Sequence, residues 1–129
     1  MGSARGGVMA LFAGDKLEDN LRELLTHFDA DSNGYFGTRG KSRKKGVRNI
    51  ASDNPGRTAA EFAYMAATNP SITRPIPGKG FTWVMRDGGI VTYRWKSSSD
   101  GTPVVELECK GISGVASQKI HFVPNKKEA

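Results

Sequence analysis

The stretch FTWVMRDGGIVTYRWKSSSDGTPVVELECKGISGVASQKIHFV, residues 81–123, decides how the chain is read. Within it, four short runs carry apolar side chains at every second position: Phe81–Arg86, Ile90–Lys96, Val104–Cys109 and Ser117–Val123. A period of two belongs to half-buried strands. The separators Asp87–Gly89, Ser97–Pro103 and Lys110–Ala116 are short and carry glycine, as hairpin connections do. The economical layout is a four-stranded antiparallel meander.

Alternation also assigns the faces. Phe81, Trp83 and Met85, then Val91, Tyr93 and Trp95, then Val105, Leu107 and Cys109, and finally Ile120 and Phe122 share one side. That side needs a lid, and the chain before it supplies one. Asn54 or Asp53 can cap a helix with Pro55 in its first turn, and Ala59, Phe62, Ala63 and Ala66 form its apolar stripe. Asn69 and Pro70 stop it, and the three prolines of Pro70–Gly80 predict a loop. Upstream, Leu17, Leu21, Leu24, Leu25 and Phe28 recur at helical spacing, with Asp15 placed to cap. Between the two helices, Ser32–Asp53 is polar and glycine-rich and reads as a mobile arm. The expected fold class is therefore α+β, with N-terminal helices packed on one face of a four-stranded antiparallel meander sheet. Three segments follow: an N-terminal helical extension at 1–36, a basic linker at 37–51 and an α+β domain at 52–129.

Length and composition agree with one such domain. The chain has 129 residues, 37% of them hydrophobic and 25% charged. No stretch approaches the ~20 apolar residues of a membrane span. One cysteine, Cys109, excludes an internal disulfide framework and a multi-cysteine zinc site; two histidines exclude a histidine-rich one. Nineteen Lys and Arg against thirteen Asp and Glu give a net charge of +6, the sign that favours phosphate. Six of those cations crowd into Arg39–Arg48, which contains no acid.

The sheet side opposite the apolar one carries the chemistry. It presents Thr92, Arg94 and Lys96, then Glu106 and Glu108, then Lys119 and His121. Metal-free RNA cleavage needs a base for the ribose 2′-hydroxyl, an acid for the leaving 5′-oxygen and cations for the phosphate charge. His and Glu suit the first two roles, Arg and Lys the third. His121 is accordingly assigned as general acid or base, with Glu106 or Glu108 as the other acid–base group or as the group that orients the histidine. Arg94 and Lys119 clamp the phosphate, and Thr92 and the run of Ser97, Ser98 and Ser99 hydrogen-bond it. This requires His121 to share the uncovered side of the sheet with Arg94 and Lys119. Lys96 and the arm residues Arg43, Lys44 and Lys45 would hold the RNA backbone. No cofactor is called for, and no carboxylate cluster suits a two-metal nuclease. Cys109 falls on the apolar side, where a thiol is inert. His27, on the first helix, reads as structural or exposed. Asp29–Tyr35 opens like a calcium loop, but Gly40 stands where the bidentate Glu belongs and a basic run follows, so calcium is not expected.

Ser52–Pro55, Thr58–Phe62, Asp87-Gly88 with Val91–Arg94, Ser97–Pro103 and Gln118–Phe122 together resemble the C-terminal toxin domains of bacterial polymorphic toxins of the LXG and contact-dependent-inhibition types. Several of those are similar to ribonucleases of the barnase, EndoU, colicin and RelE-like group. The resemblance covers roughly residues 37–124. It implies a domain secreted as part of a larger effector and delivered to the cytoplasm of a rival cell, where it cuts RNA. It also implies a cognate immunity protein, acidic to match the basic domain, and a free form that is monomeric. His121, Lys119, Arg94, Tyr93 and the serine run carry over by position, which adds Tyr93 to the substrate-binding set. Two alternatives stay open. One is a DNA-cleaving toxin of the same delivery system. The other is a non-catalytic RNA-binding module that stacks bases on Trp83, Tyr93 and Trp95, although alternation puts all three on the apolar side.

Overall fold

The computed structural model describes residues 15–97, 100–112 and 114–125. In chain order the elements are α1 (Leu17–Leu24), β1 (Thr38–Arg39), β2 (Val47–Ser52), α2 (Pro55–Ala66), β3 (Ile72–Ile76), β4 (Gly80–Val84), β5 (Ile90–Arg94), β6 (Val104–Glu108) and β7 (Gln118–Pro124). The strands form one seven-stranded sheet in the order β1-β2-β7-β6-β5-β4-β3. All neighbours are antiparallel except β2 and β7, which run parallel.

This overturns the four-stranded meander with N-terminal helices upon it. The meander exists as β4 to β7, but strands extend it on both sides, and α2 lies between β2 and β3 in sequence. The arm and linker reading of Ser32–Asp53 gives way to β1 and β2. β2 lacks the apolar alternation of a strand because its first inward position is Arg48, whose partner across the ladder is Ile120. That guanidinium is buried and spends its donors on the backbone: Nε to the Phe36 carbonyl at 2.9 Å and Nη2 to that of Gly37 at 3.0 Å. Nη2 also faces Asp31 Oδ2 at 3.4 Å, and the group lies 5.2 Å from the Tyr35 ring centroid. The calcium-like loop thus has its aspartate turned to an internal cation. The loop expected over Pro70–Gly80 contains β3, where Pro75 is tolerated because β3 is an edge strand.

α2 forms as its sequence demands. The Asn54 side chain accepts the Arg57 amide at 3.2 Å, and Pro55 opens the first turn. Ala59, Phe62, Ala63 and Ala66 are buried against β2, β5, β6 and β7. Phe62 is the hub, with its ring centroid 5.0, 5.1 and 5.5 Å from those of Phe28, Phe36 and Phe122. The apolar side assigned by alternation does face this helix layer: Trp83, Val91, Tyr93, Val105, Leu107, Ile120 and Phe122 are all buried. No helix among the described residues is long and apolar enough to cross a membrane.

α1 is docked by the turn between β4 and β5. Its first amides, Leu17 and Glu18, donate to Asp87 Oδ1 and Oδ2 at 3.1 and 3.0 Å. Asp15, the expected cap, instead pairs with Arg86 at 3.1 Å. A side chain on Gly89 would stand 2.5 Å from Leu17, so the turn must be bare there. Buried Asn20 then donates to the carbonyls of Ala66 and Thr68, closing the end of α2.

Partial burial works to raise the Asp87 pKa, but the amides of Glu18, Leu17 and Gly89 outweigh it and hold the carboxyl below its ordinary value. A depressed folded-state pKa means that the stabilisation is present above the unfolded value of ~3.9 and is lost as pH falls through the folded one. Asp87→Ala is expected to cost about 1 kcal/mol at neutral pH, the usual worth of a helix cap. The urea midpoint should fall accordingly, and the gap to wild type should close in strong acid. An unchanged midpoint at pH 7 would contradict the capping role.

Candidate functional site

The face turned away from α2 is built in rows by the strand register. One row runs Arg74, Thr82, Thr92, Glu106, Lys119 and Val47 from β3 to β2. The next runs Gly80, Arg94, Val104, His121, Asn49 and Thr38. His121, Arg94, Lys119, Glu106 and Thr92 therefore share one side, as alternation requires. Arg94 and His121 stand in the same row with Val104 between them, which sets their Cα atoms about 9–10 Å apart at ordinary strand spacing.

His121 is not simply uncovered. Its side chain is 9% exposed, because the connection from β5 to β6 folds over it. That connection is drawn closed by the Ser97 amide on the Thr102 carbonyl at 2.6 Å and by the Phe122 amide on the Pro103 carbonyl at 2.9 Å. Within it, Asp100 Oδ1 accepts the Ser97 hydroxyl at 2.6 Å, the Thr102 hydroxyl at 2.7 Å and the Thr102 amide at 3.0 Å. The Thr102 Oγ1 atom in turn lies 2.9 Å from His121 Nδ1, which is itself 3.5 Å from Asp100 Oδ1. The Ser97 hydroxyl is the largest cause bringing the Asp100 pKa down to about 2; burial opposes it, and the Thr102 hydroxyl and amide and His121 add to it. Asp100 is thus an acceptor only, across the neutral range.

Proton counting then fixes the imidazole. A carboxylate cannot donate, so the Thr102 hydroxyl proton goes to Asp100. The same oxygen can only accept from His121, so Nδ1 carries the hydrogen and Nε2 of the neutral ring carries the lone pair. Among the described residues, Nε2 has no hydrogen-bond partner. A base held through its other nitrogen, with its lone pair uncommitted, is what proton abstraction requires.

The orienting partner is therefore Asp100 with Thr102, not Glu106 or Glu108. Glu106 turns to Arg94, Oε1 to Nη1 at 3.5 Å, and has Lys119 as its partner across the ladder. Glu108 is exposed at the strand end. Thr92 Oγ1 is 3.4 Å from that of Thr82. Lys119 opens on a cleft of about 610 Å³ that it shares with Lys44, Ser42, Glu106 and Glu108. Arg43 and Lys45 are exposed, and the Arg43 carbonyl accepts from Arg39 at 2.7 Å. Lys96 lies beside the loop, its Cε 4.0 Å from where a side chain on Gly101 would begin. Ser98 and Ser99 lie outside the described residues. Tyr93 is on the wrong side for a role beside His121. It is buried against α2, and burial first, then the neighbouring Tyr64, raises its pKa. Burial likewise pushes the Cys109 thiol up to about 11, with Asp87 and Glu108 adding to it. Among the described residues, no three of His, Cys, Asp and Glu gather as a metal site. His27 meets Glu23 at 3.4 Å on the surface of the helix layer.

Asp100 and Thr102 were hidden by their local meaning, and Ser97, read as a phosphate contact, donates to Asp100 instead. A Ser-Ser-Ser-Asp-Gly string is sufficient as a turn, and nothing within it points to a histidine nineteen residues beyond Thr102. No family model, curated protein or solved structure matches the chain.

Nitrogen-detected NMR in mildly alkaline buffer is expected to show His121 with its proton on Nδ1. Thr102→Val, which removes the acceptor, should mix the two neutral forms. A wild-type spectrum with the proton on Nε2 would overturn the assignment.

Proposed function

We propose that this chain is a metal-independent endoribonuclease, the toxin domain of a larger secreted effector that acts inside a rival cell. The observation that carries the reading is the His121 imidazole, oriented through Nδ1 by Thr102 and Asp100, on the same sheet face as Arg94 and Lys119. In this reading Nε2 takes the proton of a ribose 2′-hydroxyl. The 2′-oxygen attacks the adjacent phosphorus, the bond to the 5′-oxygen breaks, and that oxygen takes a proton from solvent. The products are a 2′,3′-cyclic phosphate and a free 5′-hydroxyl. Arg94 and Lys119 supply the positive charge for the phosphorane-like transition state. Glu106 holds Arg94 in place rather than acting as an acid.

The net charge of +6 supports a polyanionic substrate. The same charge suits an acidic immunity protein that would compete for Lys44 and Lys119 at the cleft. RNA affinity in this reading falls steeply with salt.

The test is total RNA incubated with the purified chain in EDTA, beside His121→Ala. Wild type is expected to cleave, and the variant to lose activity by about 10²- to 10⁴-fold, the usual worth of a positioned acid or base. Equal cleavage by both would remove His121 from the reaction, and an inert wild type would overturn the ribonuclease reading.

A further inference from the structure

The main contacts of α2 with the sheet stop at β5, and beyond that strand the helix side carries an aromatic cluster. Phe81 and Trp83 stack with centroids 5.5 Å apart, and Trp83 and Tyr93 lie nearly parallel at 6.5 Å. Tyr64 meets Trp83 and Tyr93 edge-on at 5.4 and 6.2 Å. Trp95 meets Phe81 and Tyr93 edge-on, each at 6.3 Å. The inner rings are buried or half-buried, but Trp95 is 45% and Tyr64 54% exposed. Large exposed rings joined through other rings make a contiguous apolar patch of the kind that marks an interaction surface.

The surroundings of the patch are cationic. The Trp95 amide donates to the Lys79 carbonyl at 3.0 Å, so Lys79 lies across the ladder from Trp95 and Lys96 follows it in the chain. Both lysines are exposed. Trp95 also closes β5 one residue past Arg94. Lys96 continues from it to the opposite side of the sheet, beside the loop that covers His121. One end of β5 therefore joins an exposed indole, two cations and the edge of the imidazole site. Aromatic faces flanked by lysines are the elements that bind unpaired bases along a phosphate backbone.

We propose that Trp95 is a base-stacking subsite for single-stranded RNA, with Lys79 and Lys96 steering the backbone round the end of β5 toward His121. The inference rests on the ribonuclease reading for its choice of RNA, but its test does not depend on cleavage. The probe is a short single-stranded 2′-O-methyl oligonucleotide, which has no 2′-hydroxyl to react. It is titrated into the full chain at low salt, with affinity read from the anisotropy of a labelled oligonucleotide and contact from tryptophan quenching. Wild type is expected to bind with quenching. Trp95→Ala, at an exposed position, should weaken binding by roughly 5- to 100-fold, and Trp95→Phe should restore most of it. Trp95→Ala binding as tightly as wild type would overturn the subsite and point to a protein partner for these rings. No binding by wild type would overturn it equally, while RNA cleavage in EDTA would stand or fall separately.

Discussion

The parallel pairing of β2 with β7 is the constraint on which the arrangement depends. From Val47 opposite Lys119 to Ser52 opposite Pro124, it turns β7 from an edge into an interior strand. His121 then has a backbone neighbour on each side, Val104 of β6 and Asn49 of β2, and cannot drift as an edge residue would. The pairing is secured from beneath by Arg48, whose buried guanidinium ties the Phe36 and Gly37 carbonyls to β2, and by Gln118, which takes the Phe36 amide at 2.8 Å and gives its own amide to Gly34 at 2.9 Å. A buried guanidinium is tolerable only with its donors satisfied, and here carbonyl oxygens and Asp31 satisfy them.

The parts legible in the sequence were those whose cause is local. Strands β4 to β7 announce themselves through alternation, and the division of their side chains between helix side and open side follows from it. α2 is equally plain, from Asn54 and Pro55 to its alanine and phenylalanine stripe. What could not be read has its cause far along the chain. β2 looks polar because Arg48 points inward, and only residues 31–37 make that position acceptable. β3 contains Pro75, which excludes a central strand but not an edge. Asp15 is a reasonable cap for α1 until Asp87 arrives from the β4–β5 turn. Likewise Glu106 shares a face with His121, but Arg94 claims it, and the true partner comes from a turn whose sequence explains itself without any further role.

Electrostatics divides the open face into two working parts. Arg94, Glu106 and Lys119 form a chain of alternating charge with a net positive balance, half-exposed and thus screened by salt. Ser97, Asp100, Thr102 and His121 form a hydrogen-bonded network around a buried imidazole, in which every hydroxyl proton has one destination. The first part suits a phosphate and the second a proton, and the loop after β5 brings them together on one face of the sheet. The aromatic cluster on the other side reaches that same end of the strands at Trp95.

If His121 activates the ribose 2′-hydroxyl, that hydroxyl is the only nucleophile, and end-group analysis tests this most directly. Fragments released from a single-stranded RNA are predicted to end in 2′,3′-cyclic phosphate with 5′-hydroxyl partners, and a chimera with one deoxyribose at the cut position should resist cleavage there. Fragments ending in 3′-hydroxyl and 5′-phosphate, or cleavage at the deoxyribose, would contradict the role given to His121.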